Sequence, residues 1–147
     1  MTEITLITGS TLGSAEYVAE HLAGKLEEDR FSITLHHGPE ADEIEPSGVW
    51  LIVASTHGAG DLPENLQPFF EALQSENPDL SQVSYGAVGL GSREYDLFCG
   101  AIKKLDQLLQ SLGAKKIGER LEIDVTEHDI PEDPAEVWLE SWKKQLS

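Results

Sequence analysis

Positive charge is scarce in this chain. Ten lysines and arginines face 27 aspartates and glutamates among 147 residues, a formal charge of −17. Nucleic acids and anionic membrane surfaces both require a basic footprint, so this balance argues against either as a partner. Cysteine is almost missing as well. The lone Cys99 excludes an internal disulfide, a CxxC redox pair and a cysteine-ligated cluster within one chain. The five histidines lack metal-ligand spacing, and no metal is expected. No apolar run approaches the roughly 20 residues that span a bilayer. The first residues carry Glu3 and no basic segment, so a signal peptide is not expected. Together these absences predict a cytoplasmic protein.

What remains is ordinary for a globular chain: 39% apolar and 25% charged residues. The length suits a single domain over residues 1–147 with its own core, expected as a monomer. The acidity would attract basic protein surfaces and hasten encounter with them. It would equally keep a small protein soluble, and composition alone leaves both readings open.

Along the chain, short apolar segments alternate with helical stripes. Residues 4–8, 31–36, 49–54 and 84–90 are β-rich and apolar, as buried parallel strands are. Residues 119–125 alternate strictly, which predicts a fifth strand near an edge. Ala15, Val18, Ala19, Leu22 and Leu26 keep i, i+3, i+4 spacing, and the stripe from Phe98 to Leu112 keeps it more strictly. A shorter helix is expected from about Glu64 to Gln74. The last helix is expected to take Asp133 as N-cap, with Pro134 in its first turn and Glu136 at the third position. Trp138 or Leu139, Trp142 and Leu146 would then face the core. Strands alternating with helices predict an α/β fold, a parallel sheet with helices on both faces.

In such sheets ligands bind beyond the carboxyl ends of the strands. Three strands here end in loops rich in small residues: "TGSTLGSA", "STHGAGDLPEN" and "GLGSREYDLFCG". In the first, Gly9 and Gly13 free the backbone to curl, and a helix beginning near Ser14 would aim unpaired N–H groups into that curl. Ser10, Thr11 and Ser14 add hydroxyl donors. No lysine follows, so this is not a triphosphate-binding GxxxxGK[ST] loop, and GxGxxG is missing too. Donors and a helix dipole suffice for one terminal phosphate; the same turn could also be an N-capped connection. In the second loop Gly58 and Gly60 allow close approach to a flat ligand, and Thr56 and His57 could present a hydroxyl and a ring. In the third, Tyr95 near Phe98 reads either as a stacking platform or as a capping tyrosine. One phosphate, flat slots and aromatics describe a mononucleotide with a planar ring. FMN fits; ATP does not.

The ordered trio "GSTLGSA", "STHGAGDLPEN" and "GLGSREYDLFCGA" resembles the loops of the flavodoxins and of the FMN domain of diflavin reductases. The likeness extends over nearly the whole chain. It implies a flavodoxin-like, doubly wound five-stranded parallel sheet of the short-chain type. The strand order 2-1-3-4-5 is that family's known order, not one derived from these residues. By this resemblance Ser10, Thr11, Leu12, Gly13 and Ser14 would hold the FMN phosphate. Ser55, Thr56, His57 and Gly58 would line one side of the isoalloxazine. Leu90, Gly91, Ser92, Tyr95, Asp96, Phe98 and Cys99 would line the other, with Tyr95 stacked on the ring. Asp124 stands where FMN domains often keep an acidic neighbour. The chain departs from the family at His57, where an aromatic such as tyrosine is common, and at Ser92, where asparagine is. Between Ile117 and Ile130 there is little room for the insertion that splits the fifth strand of long-chain members.

The function implied is an FMN-binding electron carrier rather than a self-contained catalyst, with the chemistry supplied by the flavin. An acidic, backbone-lined site disfavours further negative charge on the ring, so the second electron should be harder to add than the first. Expected partners are a basic-surfaced flavodoxin reductase and an acceptor enzyme. Small bacterial members are associated with electron supply for biotin formation, so the resemblance suggests biotin synthase. Asp61, Glu64, Glu94 and Asp96, in or beside the loops, would form the docking face. A phospho-receiver domain needs acids after the first strand and an aspartate ending the third; those places read Thr8-Gly9 and Ser55-Thr56. A low-molecular-weight phosphatase needs Cys-x5-Arg after the first strand, and Cys99 lies elsewhere. A domain of the same fold without flavin, acting as a protein-binding module, is the remaining alternative.

Overall fold

Parallel strand pairing dominates the computed structural model, which describes residues 3–9, 14–37, 47–55, 66–91, 100–118, 120–124 and 132–146. In chain order these form β1 (Glu3–Gly9), α1 (Ser14–Glu28), β2 (Ser32–His37), β3 (Gly48–Ser55), α2 (Gln67–Glu76) and β4 (Val83–Gly91). Then follow α3 (Gly100–Ser111), β5 (Lys115–Lys116), β6 (Leu121–Asp124) and α4 (Glu132–Lys143), which ends in a 3₁₀ turn, Lys144–Leu146. The sheet order is β2-β1-β3-β4-β5, with β6 also paired to β4, and every pair is parallel. This is the doubly wound order expected. None of the described helices is long and apolar enough to cross a membrane.

Strand alternation sorts the core into two layers. Ile4, Leu6, Leu51, Val53, Val88 and Leu90 point to the face covered by α1 and α4. Ile7, Trp50, Ile52, Tyr85 and Ala87 point to the face covered by α2 and α3. Strands buried on both faces read as continuous apolar runs, which is why the central segments were legible. On α4, Leu139 and Trp142 are buried, and Trp138 stacks on Trp142 with centroids 5.4 Å apart. Between the helices of that layer, His21 Nε2 lies 3.0 Å from Glu136 Oε2 and Lys25 Nζ 3.4 Å from Glu136 Oε1. The bond from His21, aided by Lys25, holds the Glu136 carboxyl below its usual range.

One expectation is corrected and another is extended. Helix α4 begins at Glu132, so Asp133 lies inside its first turn instead of capping it. Pro134 is tolerated there because first-turn N–H groups have no intrahelical acceptor. The strand expected within 119–125 is β6, and a further two-residue strand, β5, precedes it. The place beside β4 is shared by β5, opposite Ser84 and Tyr85, and β6, opposite Val88 to Gly91. Gly118, at φ +71°, turns the chain between them, a conformation that suits glycine. The Ile117 N–H still donates to the Tyr85 carbonyl at 2.8 Å, so the ladder reaches the turn.

Candidate functional site

Four adjacent strands end level with one another. Gly9 of β1 pairs with Ala54 of β3, Ser55 ends β3 opposite Leu90, and Gly91 ends β4 opposite Asp124, the last residue of β6. With strands spaced about 4.8 Å apart, the row from Gly9 to Asp124 runs roughly 14 Å. The chain leaves β1 toward β2 on one side and enters β3 on the other, so the row includes the point where strand order reverses. Helix α1 starts at Ser14 just beyond the end of β1, and α3 starts at Gly100 beyond the end of β4. Their N-termini bring partial positive charge to the same edge. Such an edge can hold an anion at the α1 end and a flat group across the strand ends.

The sequence-predicted residues divide accordingly. Ser14 opens α1, Ser55 and Gly91 close β3 and β4, Asp124 closes β6, and Leu90 is buried beside them. Ser10, Thr11, Leu12, Gly13, Thr56, His57, Gly58, Ser92, Tyr95, Asp96, Phe98 and Cys99 lie outside the described residues. Those predicted residues that are described therefore gather at one edge of the sheet.

Sequence reasoning missed two features. The first is Thr8, fully buried one residue before the end of β1, whose Oγ1 has no hydrogen-bond partner among the described residues. The second is Asp106 on α3, 2% exposed, which accepts bonds from four side chains. The Tyr85 hydroxyl and Gln110 Nε2 (3.0 Å) reach Oδ1; Lys116 Nζ (3.1 Å) and Arg120 Nη1 (2.6 Å) reach Oδ2. Arg120 Nε continues to Glu122 Oε2 at 2.9 Å. Burial works against the Asp106 charge, but the bonds from Tyr85, Lys116 and Arg120 outweigh it and hold the carboxyl below its ordinary value. Burial is also the main reason the Tyr85 phenol is pushed well above its ordinary range, with Asp106 adding to it. Lys116 and Arg120 stand on either side of the Gly118 turn, so this cluster ties both halves of the split edge strand to α3. A signal was available: Asp106 sits four residues after Ile102 and three before Leu109, on the apolar face of its helix.

Comparison with known proteins agrees with this geometry. The Flavodoxin family profile matches residues 6–138. Protein MioC of Escherichia coli K12 is 63% identical over 146 residues, covering 99% of both chains. A MioC homolog of Haemophilus influenzae is 52% identical over 97% of this chain and 98% of its own. A C101A mutant of flavodoxin from Pseudomonas aeruginosa superposes with a TM-score of 0.92 at 31% identity, covering 99% of each chain.

Proposed function

Because the chain belongs to the flavodoxin family, we propose that it is a single-domain electron carrier that binds one FMN non-covalently and catalyses no reaction of its own. The observation that carries this reading is the level row of strand ends, Gly9, Ser55, Gly91 and Asp124, beside the α1 N-terminus. The buried hydroxyl of Thr8, next to that row and unpaired among the described residues, is the kind of donor an anionic ligand completes. Ser10, Thr11, Leu12, Gly13 and Ser14 would hold the phosphate. Ser55 to Gly58 and Leu90 to Cys99 would flank the ring, with Tyr95 against its face. Bound there, the flavin supplies reversible electron uptake, and the protein supplies position, shielding from water and an acidic surround.

Titration of flavin-free protein with FMN, FAD and riboflavin, followed by flavin fluorescence, tests the reading. FMN should bind at least about a hundredfold more tightly than riboflavin, because each bond to a charged phosphate is worth about 1.5–3 kcal/mol. FAD should bind poorly, since the proposed cradle would take a terminal phosphate. Equal affinity for FMN and riboflavin would overturn the phosphate assignment. A protein that takes up no flavin would be the binding module instead.

The acidic residues beside the loops are proposed as the docking face for a basic reductase and for an acceptor, with biotin synthase a candidate for the latter. Steering by complementary charge raises association rates about tenfold or more at low salt and is screened beyond roughly 10 Å at 0.1 M. Neutralising Asp61, Glu64 and Glu94 together should slow association with a flavodoxin reductase about tenfold at low ionic strength. Neutralising Glu27, Glu71 and Glu76, exposed on α1 and α2, should slow it far less. Equal slowing by both triple variants would mean that charge acts only in bulk.

A further inference from the structure

Thr8 stands where a valine would cost less. It is fully buried, and among the described residues its hydroxyl is unpaired. A buried donor left unpaired destabilises a fold, whereas valine offers nearly the same shape and favours a strand. Thr8 lies in register between His37 of β2 and Val53 of β3, one residue from the end of β1. By alternation it shares the α1 face of the sheet with Ile4 and Leu6. The segment that follows it, 10–13, leads directly into the α1 N-terminus, which favours anions.

We infer that Thr8 is a positioning residue for the phosphate: its hydroxyl is satisfied when a phosphate is bound beside the α1 N-terminus, so it favours the loaded protein over the empty one. This rests on the FMN reading above. It predicts opposite signs for stability and binding when the hydroxyl is removed. A purely structural threonine cannot produce that.

The test compares wild type, Thr8→Val and Thr8→Ser, measuring the melting temperature without flavin and the dissociation constants for FMN and riboflavin. Thr8→Val should melt at the same temperature as wild type or higher. It should bind FMN roughly tenfold or more weakly, the worth of a hydrogen bond to a charged site. Its riboflavin affinity should change less than about twofold, and Thr8→Ser should regain most of the FMN affinity. The inference is overturned if Thr8→Val keeps wild-type FMN affinity. It is also overturned if Thr8→Val fails to fold, or melts lower and loses both flavins equally, since the hydroxyl would then be bonded in the empty protein. A wild type that does not prefer FMN to riboflavin fails the functional reading itself. A preference retained in Thr8→Val fails only the role of Thr8.

Discussion

Asp106→Leu is expected to destabilise the protein by about 3 kcal/mol, the lower end for breaking a buried charge cluster from one side. The substitution strands Lys116 and the Tyr85 hydroxyl around an apolar side chain and leaves Arg120 with Glu122 alone. The lower end applies because Lys116 and Arg120 keep 28% and 26% of their side-chain surface exposed and can turn toward water. Urea unfolding followed by circular dichroism measures it. A loss under about 1 kcal/mol would place the cluster with ordinary surface ion pairs.

The same cluster sets a pH dependence with a defined sign. The folded protein holds the Asp106 carboxyl below its ordinary value, near 3.9. Its contribution is therefore fully present above that value and is lost as pH falls through the lower, folded one. The stability gap between wild type and Asp106→Asn should be flat from about pH 7 to pH 5 and close below about pH 4. Tyr85 acts at the other end: its phenol titrates higher in the folded state, so its contribution is lost as pH rises above about 10.

The sheet and its layers were legible because parallel strands buried on both faces leave unbroken apolar runs such as "VWLIVA", and those runs carry their own period. The edge was less so. Strict alternation in "ERLEIDV" marks an edge strand, but alternation is silent on a two-residue strand such as Lys115–Lys116, which pairs with β4 just before the Gly118 turn and whose Lys116 reaches Asp106 on α3. The strand ends of the site were legible from glycine and hydroxyl content. Thr8 was not, because a hydroxyl's missing partner is a fact of three dimensions. The α4 start was misplaced by two residues, Pro134 expected against Glu132 found, because acids and proline are welcome at several positions of a first turn, and the pattern alone does not choose among them.

Gly86 is the second position where a large effect is expected, and its reason is likewise spatial. It lies within β4 opposite Leu51, on the face covered by α4. A Cβ added there would stand 2.5 Å from Trp142 Nε1 and 2.6 Å from Cε2, closer than such atoms approach. A glycine inside a strand often marks a close approach of this kind. Trp142 has little room to yield, being 1% exposed and stacked on Trp138 with the rings 15° apart. A methyl at position 86 must therefore push α4 away from the sheet. Gly86→Ala should cost about 1–3 kcal/mol, the usual range for overpacking, and Gly86→Val more. Shortening the opposing ring should make room, so Gly86→Ala with Trp142→Phe should be less destabilising than the two changes summed by about 1 kcal/mol or more. Urea titrations of the four proteins in that cycle measure the coupling. Strict additivity, or a Gly86→Ala cost under about 0.5 kcal/mol, would mean that the indole moves freely and that Gly86 is not held by contact with α4.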